Sequence, residues 1–127
     1  MDQIRTFRDI IAWQRGMALA KAVYQNASSI PPRERYGLCD QILRAAVSVP
    51  ANIAEGYGRG TPADFLRFLR VARGSLYELS THLELAGDVG LLVPADTTTG
   101  LADETDRVLQ GLIRSLEAKA DQPPRRQ

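Results

Sequence analysis

Pro50 stands in the middle of a segment, LCDQILRAAVSVPANIAEGYGR from Leu38 to Arg59, that otherwise reads as one long amphipathic helix. Proline in a helix interior removes a backbone donor and crowds the carbonyl four residues earlier, at a cost of about 3 kcal/mol. A chain that carries an apolar helix through such a residue needs strong packing to hold it. At about 100° per residue, Leu38, Ile42, Ala45, Val49, Ile53 and Gly56 share one face. Cys39, Leu43, Val47, Pro50 and Ala54 form a second apolar stripe beside it, and only Asp40, Arg44, Ala51 and Glu55 remain for a polar strip, with Ser48 at its edge. A helix that is apolar on two sides belongs to the centre of a large protein or to an interface between chains. A chain of 127 residues builds one modest core and has no such centre. Leu43, Val47, Pro50 and Ala54 are therefore expected to face neighbouring subunits, the alternative being connecting segments folded over the stripe.

Three further helices are expected, and no strand. The first spans Phe7 to Ser28, with Ile10, Trp13, Met17, Ala20, Val23 and Tyr24 three or four apart, and stops before Ile30-Pro31-Pro32. The second, the proline-bearing helix, spans Arg33 to Tyr57. Thr61-Pro62 supplies a hydroxyl cap and a proline at the first helical position, starting a third helix that reaches Val89. Its apolar face is Phe65, Phe68, Leu69, Ala72, Leu76, Leu79, Leu83 and Ala86. Gly90, Pro94 and Gly100 mark a break before a fourth helix built on Leu101, Val108, Leu112 and Leu116, with Leu109 and Ile113 flanking. Short connections between four helices imply an all-α, antiparallel up-down-up-down bundle, a single domain over residues 1–120. The segment 121–127, DQPPRRQ, has the composition of a disordered tail.

Charge is unevenly spread. Residues 1–73 carry a net +5 and residues 74–127 a net −4, and 14 of the 16 basic residues are arginine. The planar guanidinium fork suits phosphate and carboxylate, but a genome rich in G and C produces the same bias. No apolar run reaches the roughly 20 residues of a membrane span, and Asp2 and Asp9 break any signal-peptide pattern. The lone Cys39 fits a reducing compartment, so a cytoplasmic location is expected, with no membrane partner.

FRDIIAWQ (Phe7–Gln14), QILRAAVSVPANIAEG (Gln41–Gly56), Arg59 and FLRFLRVARGSLYEL (Phe65–Leu79) together resemble the four-helix-bundle family of proteins encoded in intervening sequences of bacterial large-subunit ribosomal RNA genes. The resemblance covers residues 4–92, and RAAVSVPANIAEG is its most specific string. It implies a closed homo-oligomer, a pentamer with a central channel. A relative, the accessory variability protein of diversity-generating retroelements, forms a similar barrel and works with a reverse transcriptase and nucleic acid. The resemblance thus implies a nucleic-acid or ribonucleoprotein role.

The residues themselves offer several candidate sites. In an antiparallel hairpin turning near Gly58–Gly60, Arg44 comes level with Glu78, Ser48 with Ala72–Ser75, and Glu55 with Phe65–Arg67. An Arg44–Glu78 ion pair across the hairpin is expected, with Gly74 and Ser75 allowing close approach. A polar constellation at a subunit junction or channel wall is the alternative for Arg44, Ser48 and Glu55. Asn52 is expected to be structural, meeting a carbonyl freed by Pro50 or fixing register at an interface. Arg67 and Arg70 project from the third helix away from its apolar face, with Arg73 on the flank and Arg59 just before the helix. These four arginines are the candidate contacts to RNA or DNA, a ring of them gaining by avidity. The competing reading is a solvated charged face, since Asp64 and Glu78 lie nearby and the sequence shows no basic run and no aromatic stacking platform.

Enzymatic readings find little support. Gly56-Tyr57-Gly58-Arg59-Gly60-Thr61 lacks the lysine of a phosphate-binding loop and follows no strand. His82 is the only histidine and has no partner at metal-ligand spacing; Cys39 sits on an apolar stripe, and the carboxylates are scattered. Trp13, Tyr24 and Phe65 read as core. The expectation is a non-enzymatic homo-oligomeric scaffold without cofactor or metal that binds RNA or DNA electrostatically. The alternative is an oligomeric adaptor for a protein partner, with no nucleic-acid contact.

Overall fold

The helix bearing Pro50 runs unbroken over Leu38–Gly58 in the computed structural model, which describes residues 3–34 and 36–120. It is α2 of four helices: α1 Ile11–Ala27, α2, α3 Pro62–Asp88 and α4 Asp96–Ala120. The packing that holds Pro50 comes from α1. A Cβ placed on Gly16 would lie 3.4 Å from both the Pro50 Cβ and the Val49 Cγ1. The helices thus approach where one residue lacks a side chain and the other presents a flat ring. Pro50 is buried within the protomer, unlike the rest of its expected stripe.

Among the described residues there is no strand, so the fold class is all-α. Helix α2 packs on α1 and α3, and α4 packs on the same two helices, an arrangement compatible with a four-helix bundle. Leu19, Val23, Ile42, Val49, Ile53, Leu69, Leu76, Leu79 and Leu109 form its water-free centre. No helix among the described residues is long and apolar enough to cross a membrane. The expected tail, 121–127, lies outside the described residues.

Helix α3 follows the sequence expectation closely. The Thr61 hydroxyl accepts from the Asp64 N–H at 3.1 Å, Pro62 occupies the first turn, and the anticipated face is buried with Ser75 added and Phe65 only partly covered. Gly60 before it and Gly90 after it have φ of +85° and +77°, a region glycine enters without strain. The link from α3 to α4 is pinned by Asn26 of α1. Its amide donates to the Val93 carbonyl at 3.1 Å and accepts from the Ala95 N–H at 2.9 Å.

The other helices depart from expectation in start or phase. A single 3₁₀ turn, Phe7–Asp9, precedes α1, and another, Pro32–Glu34, precedes α2. Gly100 lies inside α4, which begins at Asp96. The face that α1 buries is Ala12, Gly16, Leu19, Val23 and Ala27. The larger Trp13 is half-buried and Tyr24 is 51% exposed. Small residues allow the close helix contact, so the bulky ones fall at the groove's edge. In α4 the centre of the face is Leu109 and Ile113, while Val108, Leu112 and Leu116 are only partly buried.

The 3₁₀ turn before α1 is a capping box. The Asp9 carboxylate accepts from the Arg5 N–H at 2.8 Å and the Thr6 N–H at 3.0 Å, while the Thr6 hydroxyl accepts from Arg8 N at 3.1 Å. Those backbone bonds hold the Asp9 carboxyl below the ordinary carboxylate range. Its contribution is thus fully present above the ordinary aspartate pKa and disappears only as pH falls through the depressed value. NMR titration should give an Asp9 midpoint below the ordinary aspartate value, with the Arg5 and Thr6 amide shifts following it. A midpoint at the ordinary value would contradict the cap.

Candidate nucleic-acid interface

The end of α2 and the start of α3 are drawn together by one missing side chain. A Cβ on Gly56 would lie 2.5 Å from the Phe68 Cβ and 3.3 Å from the Phe65 carbonyl oxygen. This contact sets Phe65 and Phe68 at the turn. Phe68, 9% exposed, becomes a ring on which two cations converge. The Arg59 guanidinium stands 5.1 Å from the ring centroid and that of Arg67 4.5 Å, within the range of favourable cation–π contact.

Each of the four candidate arginines also meets a carboxylate. Arg59 pairs with Glu55 at 2.7 Å and Arg67 with Asp64 at 3.2 Å, both within one turn of chain. Arg70 reaches Glu117 at 2.6 Å and Arg73 reaches Asp106 at 3.2 Å, both on α4. Arg73 also donates to the Tyr77 hydroxyl at 2.6 Å, which in turn lies 3.3 Å from the second Asp106 oxygen. The hydrogen bond and charge of Glu55 raise the Arg59 pKa. Partial burial works against charge on Arg73, but Asp106 and Tyr77 outweigh it and raise that pKa also. With Arg15–Glu104 at 2.6 Å, these bridges explain the uneven charge of the two halves: acidic α4 lies against arginines of α1 and α3. The α4 partners could not be named from sequence, because nothing in the sequence sets the register of α4 against α3.

The polar residues on α2 are arranged differently from expectation. Arg44 does not reach Glu78; it pairs with Asp40 on its own helix at 3.1 Å. The Glu78 carboxylate lies 4.0 Å from His82 Nε2, a buried atom with no hydrogen-bond partner. Ser48 does meet Ser75 across the hairpin, with 2.8 Å between hydroxyls. Asn52 donates to the Ser48 hydroxyl at 2.9 Å and the Ser48 carbonyl at 2.8 Å. The carbonyl that Pro50 leaves without its usual donor is that of Ala46, so Asn52 bonds elsewhere.

The stripe of α2 divides along its width. Leu43 and Ala54 are half-buried and Val47 is 46% exposed, with Tyr24 of α1 lining the same shallow surface as Leu43 and Val47. Cys39 is half-buried. No group of three or more His, Cys, Asp or Glu among the described residues is placed to hold a metal ion.

One feature of the turn was missed at the sequence level. Tyr57 and Phe65 stack edge to face, ring centroids 6.0 Å apart at 79°. With Gly60, Thr61, Pro62 and Leu116 they line a cavity of about 380 Å³. The spacing of these residues gives no hint of it, because the cavity needs α4 to bring in Leu116.

No curated protein matches the chain. A family model described as 23S rRNA-intervening sequence protein matches residues 8–114, from the first 3₁₀ turn through most of α4. A match over so much of the chain shows the family: the chain belongs to the 23S rRNA-intervening sequence proteins.

Proposed function

We propose that this protein is a non-enzymatic, cytoplasmic, homo-oligomeric scaffold that binds RNA or DNA electrostatically through Arg59, Arg67, Arg70 and Arg73. The observation that carries the nucleic-acid reading is the convergence of Arg59 and Arg67 on Phe68. Two like charges held at one ring repel, and an anion between them relieves that repulsion. Their carboxylate partners are exposed, and exposed pairs bind weakly enough for a phosphate to compete. Each guanidinium carries five N–H donors, and the Glu55 and Asp64 bonds each use one.

Assembly follows from the same reading. The protomer is taken as one antiparallel up-down-up-down bundle. This is supported by neighbouring helices whose contact pairs rise in number on one helix as they fall on the other: Ser48 with Ser75, then Gly56 with Phe68. Leu43, Val47 and Ala54 then face a neighbouring subunit, and the family resemblance implies five subunits. A closed ring repeats the arginine surface and gains by avidity.

The alternative, an adaptor for a protein partner, is favoured by one observation: Arg70 and Arg73 are already bridged to α4. Filter binding of RNA and DNA across a salt series separates the two. Affinity is expected at low salt, falling as salt rises, and Arg67→Ala with Arg70→Ala should lower the logarithmic salt slope by roughly 2 per bound protomer. No binding at low salt, or no effect of the double variant, would leave the adaptor.

A further inference from the structure

Resting on the nucleic-acid reading, we infer that the turn between α2 and α3 selects single strands, taking an unstacked base into the Tyr57–Phe65 cavity while Arg59 and Arg67 hold the adjoining phosphates. A groove that binds phosphate alone treats duplex and single strand alike, apart from charge density. A ring-lined cavity does not, because bases of a duplex are stacked and paired and present no free face. The cavity at this turn is about 380 Å³, at the small end of ligand sites generally and roomy enough for one planar base. Its walls are two rings, Tyr57 and Phe65, with Leu116 behind them. Gly60, at its rim, has a positive φ and nothing within 4 Å of the place a Cβ would occupy, so the mouth is open.

The cations sit at the same end of the molecule. Arg59 adjoins Gly60 in the chain, and Arg67 lies two residues beyond Phe65 on α3. Both guanidiniums are fixed over Phe68, which flanks Gly56 together with Phe65. Aromatic walls with adjacent arginines are the two components from which single-strand sites are built: stacking supplies affinity that tolerates any base, and charge follows the backbone. The other arginine cluster, Arg70 and Arg73 on the α3–α4 groove, is paired to carboxylates as the turn arginines are, but it has a single ring, Tyr77, beside it and no pair of packed rings. The selective element is therefore at the turn.

The test compares the full-length protein's affinity at low salt for a labelled oligouridylate of about 12 nucleotides and for a duplex of equal length. The single strand should bind at least about fivefold more tightly, the lower bound of one stacked base. Tyr57→Ala should abolish that preference and Tyr57→Phe should keep it, while duplex binding stays the same in both. Because Tyr57→Ala removes packing as well as a stacking face, a second measurement uses the unaltered protein. An oligonucleotide carrying 4-thiouridine should, on illumination, crosslink to Tyr57 or Phe65, as mapped by mass spectrometry. Equal affinity for single strand and duplex, or crosslinks only elsewhere, would overturn this inference and leave electrostatic nucleic-acid binding standing. Absence of binding to either probe would overturn both.

Discussion

Gly56→Ala is expected to destabilise the protein by about 2 kcal/mol and lower its melting temperature by roughly 6–10 °C, although alanine is the better helix former. The added methyl would sit 2.5 Å from the Phe68 Cβ, an atom fixed to the α3 backbone, and 3.3 Å from the Phe65 carbonyl. Neither neighbour can swing aside as the tip of a flexible side chain could. The helices must part at this end, and overpacking of this kind costs about 1–3 kcal/mol or more. The helix-propensity gain of about 1 kcal/mol offsets only part of that. Gly58→Ala, two residues on, is the matched control. Nothing lies within 4 Å of its Cβ position, so that substitution is expected to be neutral or stabilising by up to about 1 kcal/mol. Thermal and denaturant unfolding at one protomer concentration measures both. Equal effects of the two alanines would show that the close approach of α2 and α3 is not the reason for glycine at position 56.

Much of this architecture is written locally and was legible. The Thr61-Pro62 start of α3 and nearly all of its buried face needed only capping and period. Where large and small residues compete for a face, sequence favours the large ones, and in α1 that is misleading. Gly16 occupies the core because its size lets Pro50 come close, and the small Ala12 is buried on the same face while Tyr24 stays at the edge. Gly100 looks like a break because glycine weakens helices, yet α4 runs through it. Helix propensity is a weak prior that packing of Thr98 and Ala102 on either side overrides.

The candidate site was legible in part. Arg59, Arg67, Arg70 and Arg73 were visible because charge opposite an apolar face is a periodic signal. Their partners on α4 and the cavity closed by Leu116 depend on register between helices distant in sequence. The expected Arg44–Glu78 bridge shows the same limit on a shorter scale. Level positions on adjacent helices do not guarantee contact, and Asp40, one turn away on the same helix, is reached without spanning the groove.

Val47→Glu is expected to dissociate the proposed oligomer while leaving the protomer folded. Val47 is 46% exposed, so within the protomer a glutamate there keeps its water, and glutamate is the better helix former. In an assembly that covers Val47 with Leu43, Ala54 and Tyr24, the same carboxylate is taken out of water beside an Arg44 that is already paired with Asp40. That costs several kcal/mol at every copy of the interface, enough to lower association by orders of magnitude. Light scattering should therefore fall to the protomer mass with helical circular dichroism unchanged. Ala51→Glu, exposed on the polar strip of the same helix, should leave the mass as it was. A variant at Val47 that retains the wild-type mass would remove this face from the interface, and a wild-type protein that scatters as a protomer would remove the assembly. Dissociation also bears on binding, because the arginines at the turn would then act singly. Val47→Glu should weaken a long oligonucleotide far more than one short enough to occupy a single protomer, and a uniform loss would point instead to damage at the turn.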